Sequence, residues 1–144
     1  MREIVLDTET TGLSAKDGHR IVEIGCVELI NLVPTGEFFH VYINPLRNMP
    51  SEAFNVHGLS VEFLKDYPTF DAVVDEFMGF VSDSQLVIHN AQFDLGFLNA
   101  ELERLGKPEL KNQFVDTVSM ARKKFPGAHA NLDALCRRFG IDNT

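Results

Sequence analysis

Hydrophobic positions in the first third of the chain follow strand-like patterns. Residues 3–12 run Ile4-Val5-Leu6 straight into Asp7-Thr8-Glu9-Thr10-Thr11-Gly12. A strand is expected there, ending where its acids begin. Residues 20–32 hold Ile21, Val22, Ile24, Val27, Leu29 and Ile30 with Glu23 and Glu28 between them, which predicts a second strand with Gly25 as a bulge or a close approach. A Pro34-Thr35-Gly36 turn then leads to residues 37–43, where Phe39, Val41 and Ile43 alternate with Phe38, His40 and Tyr42. The alternation predicts a hairpin, with His40 as a packed strand residue.

From residue 51 the spacing becomes helical. Ser51 to Gly58 reads as a short helix stopped by glycine, and Ser60 can cap a further turn. After Pro68-Thr69, residues Phe70, Val73, Val74, Phe77 and Val81 recur at helical intervals, up to Ser82 and Asp83. Residues 85–89 read as a fourth strand. Asn90 is expected to cap a helix over 91–105 with Leu95, Leu98, Leu102 and Leu105 as its buried stripe. Asp94 falls in the first turn of that helix, where the dipole favours an ionised carboxylate. Beyond Gly106-Lys107-Pro108, residues 114–118 read as a fifth strand entering a helix that ends before Pro126-Gly127. Asn131 caps a last segment, 132–139, with Leu132, Leu135 and Phe139 on one side. Three antiparallel strands followed by two that alternate with helices describe an α/β fold, a mixed five-stranded sheet flanked by helices.

Composition narrows the function. The 144 residues, 44% of them hydrophobic, contain no linker or low-complexity tract, so residues 1–144 are expected to form a single domain. Cys26 and Cys136 stand alone, which disfavours a disulfide scaffold or a zinc site. Strand-like sequence from residue 3 leaves no room for a signal peptide, and no apolar run approaches the roughly 18 residues of a membrane span. A cytoplasmic protein without membrane contact is expected. The net charge of −8 argues against wrapping nucleic acid with a basic surface, so a polyanion bound here would need bound cations.

Candidate chemistry then centres on the acids. Alternation along an extended chain points Asp7 and Glu9 the same way, about 6–7 Å apart. They form either a place for a metal ion or a hydrated strand end. If strands one and four are parallel neighbours, their C-terminal ends bring Asp7, Glu9 and Asp94 to one crevice. Carboxylates without His or Cys partners favour Mg2+ or Mn2+ over zinc, and several can hold two ions for displacement at phosphorus. The expected chemistry is phosphodiester hydrolysis.

These motifs carry a resemblance. Asp7-Thr8-Glu9-Thr10-Thr11-Gly12, His89-Asn90-Ala91-Gln92-Phe93-Asp94, and Asp116-Thr117 before Ala121-Arg122 and Phe125-Pro126-Gly127 resemble the DnaQ-like exonucleases of the DEDDh type. Within that group the likeness is greatest to replicative proofreading members, and it covers essentially the whole chain. It implies a ribonuclease H-like sheet and 3′→5′ removal of nucleotides from the 3′ end of single-stranded DNA, with two divalent cations, Mg2+ or Mn2+, as cofactors. It makes Asp7, Glu9 and Asp94 three of four catalytic, metal-binding carboxylates, and places Thr10, Glu52 and His57 at the terminal nucleotide. By ordinary residue chemistry the last three are a turn residue, a helix-start acid and a helix-end cap. Phe93 could stack a base or pack in the core, and Asp116 could lie near the site or act as an N-cap.

The family's last motif, a histidine followed five residues later by an aspartate, lies beyond 141–143. The chain is therefore expected to be a C-terminally truncated exonuclease domain, without the final helix, the general base and the fourth carboxylate. Impaired hydrolysis and uncovered apolar surface would follow. His89 and His129 are expected in structural or exposed roles. A DNA polymerase catalytic subunit is the implied partner of the parent protein, through a tether absent here. The alternatives are an RNA-trimming 3′→5′ exonuclease of the same fold and a non-catalytic module binding nucleic-acid ends or a partner.

Overall fold

The centre of the sheet is the strand β1 (Arg2–Thr10). It pairs antiparallel with β2 (Ile21–Ile30), which pairs antiparallel with β3 (Val33–Tyr42). On its other side β1 runs parallel to β4 (Gln85–Ile88), and β4 runs parallel to β5 (Phe114–Asp116). The five-stranded order is β3-β2-β1-β4-β5, the mixed sheet expected from the sequence. The computed structural model describes residues 1–139; the segment expected to precede the last motif, 141–143, lies outside the described residues.

Helices α1 (Ser51–His57), the single turn α2 (Val61–Leu64) and α3 (Phe70–Val81) connect the antiparallel part to β4. Helix α4 (Ala91–Arg104) follows β4, α5 (Thr117–Lys124) follows β5, and α6 (Leu132–Phe139) comes last among the described residues. Caps follow the local sequence: the Gly58 N–H closes α1 in the left-handed conformation, and the Ser60 hydroxyl accepts from Phe63 N–H. No helix among the described residues is long and apolar enough to cross a membrane.

Alternation along β1 sends Ile4, Leu6, Thr8 and Thr10 inward and Val5, Asp7 and Glu9 to the opposite face. Ile4 and Leu6 join Ile24, Phe39, Leu86 and Ile88 under α3 and α4, where Phe77, Leu98 and Leu102 are fully buried. Burial of such side chains, at about 1.5–3 kcal/mol each, fixes the sheet that carries the acids.

Several expected boundaries move. The first strand does not stop at its acids; it continues through Asp7 and Glu9 to Thr10, because β2 goes on pairing with it after β4 has ended at Ile88. Gly25 pairs in register with both Asp7 and His40 and is not bulged. The bulges fall at Glu9/Thr10 and between Val27 and Leu29. The hairpin turn is Asn31-Leu32, both at positive φ (49° and 70°), with Ile30 facing Val33. Pro34-Thr35-Gly36 belongs to β3, where Gly36 at φ 91° absorbs the irregular register. The fifth strand ends at Asp116, since Thr117 and Val118 already begin α5. On α4 the buried positions are Ala91, Asp94, Phe97, Leu98, Glu101 and Leu102, while Leu95 is only half-buried and Leu105, past the last turn, is exposed. On α6 Cys136 is the buried residue, and Leu132 and Phe139 are exposed.

The turn carries a stability prediction. Leu32 is 75% exposed and gains little packing for its left-handed backbone, which costs a side-chain-bearing residue roughly 1–2 kcal/mol. Leu32→Gly is expected to stabilise the chain by about 1 kcal/mol in urea unfolding; an unchanged midpoint would mean that the turn carries no strain.

Candidate active site

The parallel β1–β4 ladder pairs Glu3 through Leu6 with Gln85 through Ile88 and ends there. Beyond it β1 runs on while the chain after β4 turns through His89-Asn90 into α4. A crevice opens between them at the C-terminal ends of two parallel strands. Asp7 and Glu9 enter it from β1. Asp94 enters from the first turn of α4 and is 3% exposed.

Thr8 ties the two sides together: its hydroxyl donates to Asp94 Oδ1 at 2.6 Å. Asp94 Oδ2 is buried without a hydrogen-bond partner among the described residues. Burial, opposed by the Thr8 bond and reinforced by Asp7, Glu9 and Asp116, pushes the Asp94 carboxyl up to about 7. Burial with the charges of Asp7 and Glu23 also pushes Glu9 up to about 7. Asp7 meets solvent at its edge, yet lost hydration against the sheet raises it, opposed by the Thr8 N–H; Glu23 raises it further and His89 lowers it.

Three carboxylates thus share one crevice and disfavour one another's charge. Among the described residues, no three His, Cys, Asp or Glu side chains already close around a single point as metal ligands. Even so, an orphaned buried carboxylate oxygen, mutual repulsion and an all-oxygen donor set fit hard divalent cations.

A cavity of about 640 Å3 opens beside Glu9, with Thr10, Leu13, Glu52, His57 and Phe93 also in its wall. His57 ends α1 and braces it against β1. Its Nδ1 accepts from Leu59 N–H at 3.0 Å, so Nε2 carries the proton and donates it to the Thr10 carbonyl at 3.0 Å. The Thr10 hydroxyl donates to Gly12 O at 2.6 Å, inside the turn. Glu52 sits exposed in the first turn of α1. Phe93 is half-buried, lining the cavity while its ring packs 5.0 Å from Phe97.

One expected cap changes hands. Asn90 occupies the N-cap position of α4 in a left-handed conformation, but its side chain makes no capping bond. The cap comes from β5 instead: Asp116 accepts from Asn90 N–H (3.1 Å), Ala91 N–H (3.0 Å) and, at the start of α5, Val118 N–H (2.8 Å). Burial would raise the Asp116 carboxyl, but the backbone donors of Ala91, Val118, Asn90 and Ser119 together hold it below its usual range. His89 is anchored through Nδ1 to the Thr117 hydroxyl at 2.9 Å, and His129 is exposed.

Sequence reasoning missed the support beneath the cleft. Arg20 N–H donates to the Thr11 hydroxyl (3.0 Å), which also bonds His19 Nδ1 (2.9 Å). The His19 ring lies against Gly12 so closely that a Cβ there would sit 2.4 Å away, hence the glycine. Arg20 in turn makes a two-pronged ion pair with buried Glu101 of α4. The available signal was weak: a glycine seven residues before a His-Arg pair.

Residues 4–144 match the Exonuclease family. The chain belongs to the exonuclease family. It is 56% identical over 148 residues to the DNA polymerase III subunit epsilon of Rickettsia felis, covering 100% of this chain and 65% of that protein. To the same subunit of Escherichia coli K12 it is 50% identical over 151 residues, covering 99% and 62%. The exonuclease-family chain therefore spans less than two thirds of the length of these curated relatives. Among solved structures, exonuclease X in complex with 5′ overhanging duplex DNA matches with a TM-score of 0.77 and 26% identity, covering 97% of this chain and 74% of that one. The nuclease domain of 3'hExo, a DEDDh family member bound to rAMP, matches with a TM-score of 0.83, covering 99% and 80%; at 16% identity the likeness is one of fold.

Proposed function

We propose that this exonuclease-family chain hydrolyses the terminal phosphodiester at the 3′ end of single-stranded DNA, as the proofreading activity of a replicative polymerase. The observation that carries the reading is the buried Oδ2 of Asp94, without a hydrogen-bond partner among the described residues, close to Asp7 and to Glu9 at the cavity wall. The epsilon subunits to which the chain is similar support the biological setting.

In this reading Asp7, Glu9 and Asp94 hold two divalent cations, Mg2+ or Mn2+. When bound, such ions neutralise the carboxylates and stabilise charge on the attacking and leaving oxygens of the displacement. Glu52 and the Thr10 backbone face the terminal nucleotide. His57, with its proton fixed on Nε2, holds the rim in place. Phe93 offers a half-buried aromatic face to a base. Water and the phosphodiester give a nucleoside 5′-monophosphate and a strand one nucleotide shorter with a new 3′-hydroxyl. The acidic protein holds DNA weakly by itself, and association with a polymerase catalytic subunit would raise the local concentration of 3′ ends.

The test is release of labelled mononucleotide from 3′-labelled single-stranded DNA by the chain, and by a version extended by a further helix. Release should require Mn2+ or Mg2+ and stop with EDTA. DNA labelled at the 5′ end should shorten stepwise from its other end. Faster removal of a matched RNA would reassign the substrate. Metal-independent release, or none from either version, would overturn the reading.

A further inference from the structure

We propose that Thr8 is a positioning residue for Asp94, holding one carboxylate oxygen so that the other stays free for a divalent cation. The inference rests on the metal-binding reading above. Thr8 lies on the inward side of β1, only 6% exposed, between Leu6 and Thr10. A strand does not demand a hydroxyl there. Valine has the same shape and an equal liking for extended backbone, so the oxygen has to be explained by its partner.

Its partner is 86 residues away in sequence: the hydroxyl donates to Asp94 Oδ1 at 2.6 Å, the short distance of a bond to a charged acceptor. With Oδ1 held, the carboxylate plane cannot turn freely, and Oδ2 is left buried with no partner among the described residues. A carboxylate that merely stabilised the fold would be expected to satisfy both oxygens, because an unpaired buried one is costly. Half-satisfaction is what a ligand kept ready for a cation requires. The same residue acts on the other side of the crevice too, since the Thr8 N–H favours the ionised Asp7 carboxylate. One threonine therefore orients the acid from α4 with its side chain and favours the charge of the acid from β1 with its backbone.

Losing an outer partner of a metal ligand typically costs 10- to 100-fold in metal affinity. Mn2+ binding should be measured by the electron paramagnetic resonance of free Mn2+ for the parent chain, Thr8→Val, Thr8→Ser and Asp7→Ala. Thr8→Val is expected to bind Mn2+ about tenfold more weakly, and to lower kcat while the KM for an oligonucleotide stays within about twofold. Thr8→Ser, which restores the hydroxyl, should recover most of both. Should the valine methyl disturb packing, comparing Thr8→Ser with Thr8→Ala isolates the hydroxyl in a smaller side chain. Parent-like Mn2+ affinity in both Thr8→Val and Thr8→Ala would overturn the inference alone, as would a serine variant as weak as they are. A parent chain without Asp7-dependent Mn2+ binding would overturn the metal-site reading and this inference with it.

Discussion

Asp94→Asn is expected to reduce nucleotide release by about 10³-fold, roughly 4 kcal/mol of transition-state stabilisation. Without divalent ions, it is also expected to make the fold more stable than the parent at pH 8. The two effects have one origin. In the folded chain the Asp94 carboxyl is pushed up to about 7, from 3.8, by burial and by the charges of Asp7, Glu9 and Asp116, against the Thr8 bond. The folded state therefore keeps its proton to higher pH than the unfolded state does. Stability is greatest below the unfolded value near 4, falls as pH rises through about 7, and then levels off. The shift corresponds to a cost of about 4 kcal/mol above pH 7 at most, shared with Glu9, which is raised alongside it.

Asparagine keeps an oxygen for Thr8 and brings no charge, so the variant should lose the part of that pH slope that comes from Asp94 and keep the part that comes from Glu9. Urea unfolding in EDTA at pH 5.5 and pH 8 measures it directly. The parent should weaken by a few kcal/mol between the two, and Asp94→Asn by about half as much, since Glu9 still titrates. Added Mn2+ at pH 8 should restore the parent by mass action and leave the variant nearly unmoved. Equal slopes in parent and variant would mean that the crowded carboxylates are hydrated after all.

Some of this site could be read from the chain because it depends on short-range periodicity. Asp7 and Glu9 share a face by strand alternation, and Asp94 stands in a first helical turn by its distance from Asn90. Their convergence needed only β1 and β4 to be parallel neighbours, as they are. What could not be read depends on contacts that local sequence does not encode. Asn90 has the right residue type to cap α4, yet Asp116, 26 positions on, takes the role because β5 lies next to β4. Pro-Thr-Gly is a stronger turn signal than Asn-Leu, yet the register of β2 against β3 places the turn at Asn31-Leu32 and turns the glycine into part of an irregular strand. Leu105 completes an apolar spacing on paper but falls past the last turn of α4 and is exposed. Glu101, an acid beside Leu102 on a leucine-rich helix, carries no sequence signal of its role and is one of the most buried charges among the described residues.

That buried charge underlies the second large effect. Glu101→Ala is expected to destabilise the chain by about 3 kcal/mol, since removing one member of a buried ion pair strands the other. Glu101 is 2% exposed, accepts from Arg20 Nε at 2.8 Å and Nη2 at 2.7 Å, and takes the Ile21 N–H at 3.3 Å. Alanine would leave that backbone donor and the guanidinium without partners where β2 begins. The Arg20 side chain is 21% exposed, so partial rehydration keeps the loss near the lower end of the range for such pairs.

Two further variants separate the charge from the packing. Glu101→Gln retains the shape and one acceptor and should cost about half as much. The double replacement of Arg20 and Glu101 by leucine should fall closer to the parent than Glu101→Ala does, because it removes both desolvated charges together. A double variant as weak as Glu101→Ala would show that the Ile21 N–H or the shape of the site matters more than the pair.

The consequence extends to the cleft, because Arg20 also holds the Thr11 hydroxyl through its backbone N–H, and Thr11 holds His19 against Gly12. Loosening the start of β2 should therefore loosen the turn that follows Glu9 and Thr10. Glu101→Ala should lower nucleotide release even at temperatures where the variant remains folded, whereas Leu32→Gly, at the far end of the same hairpin, should leave it unchanged.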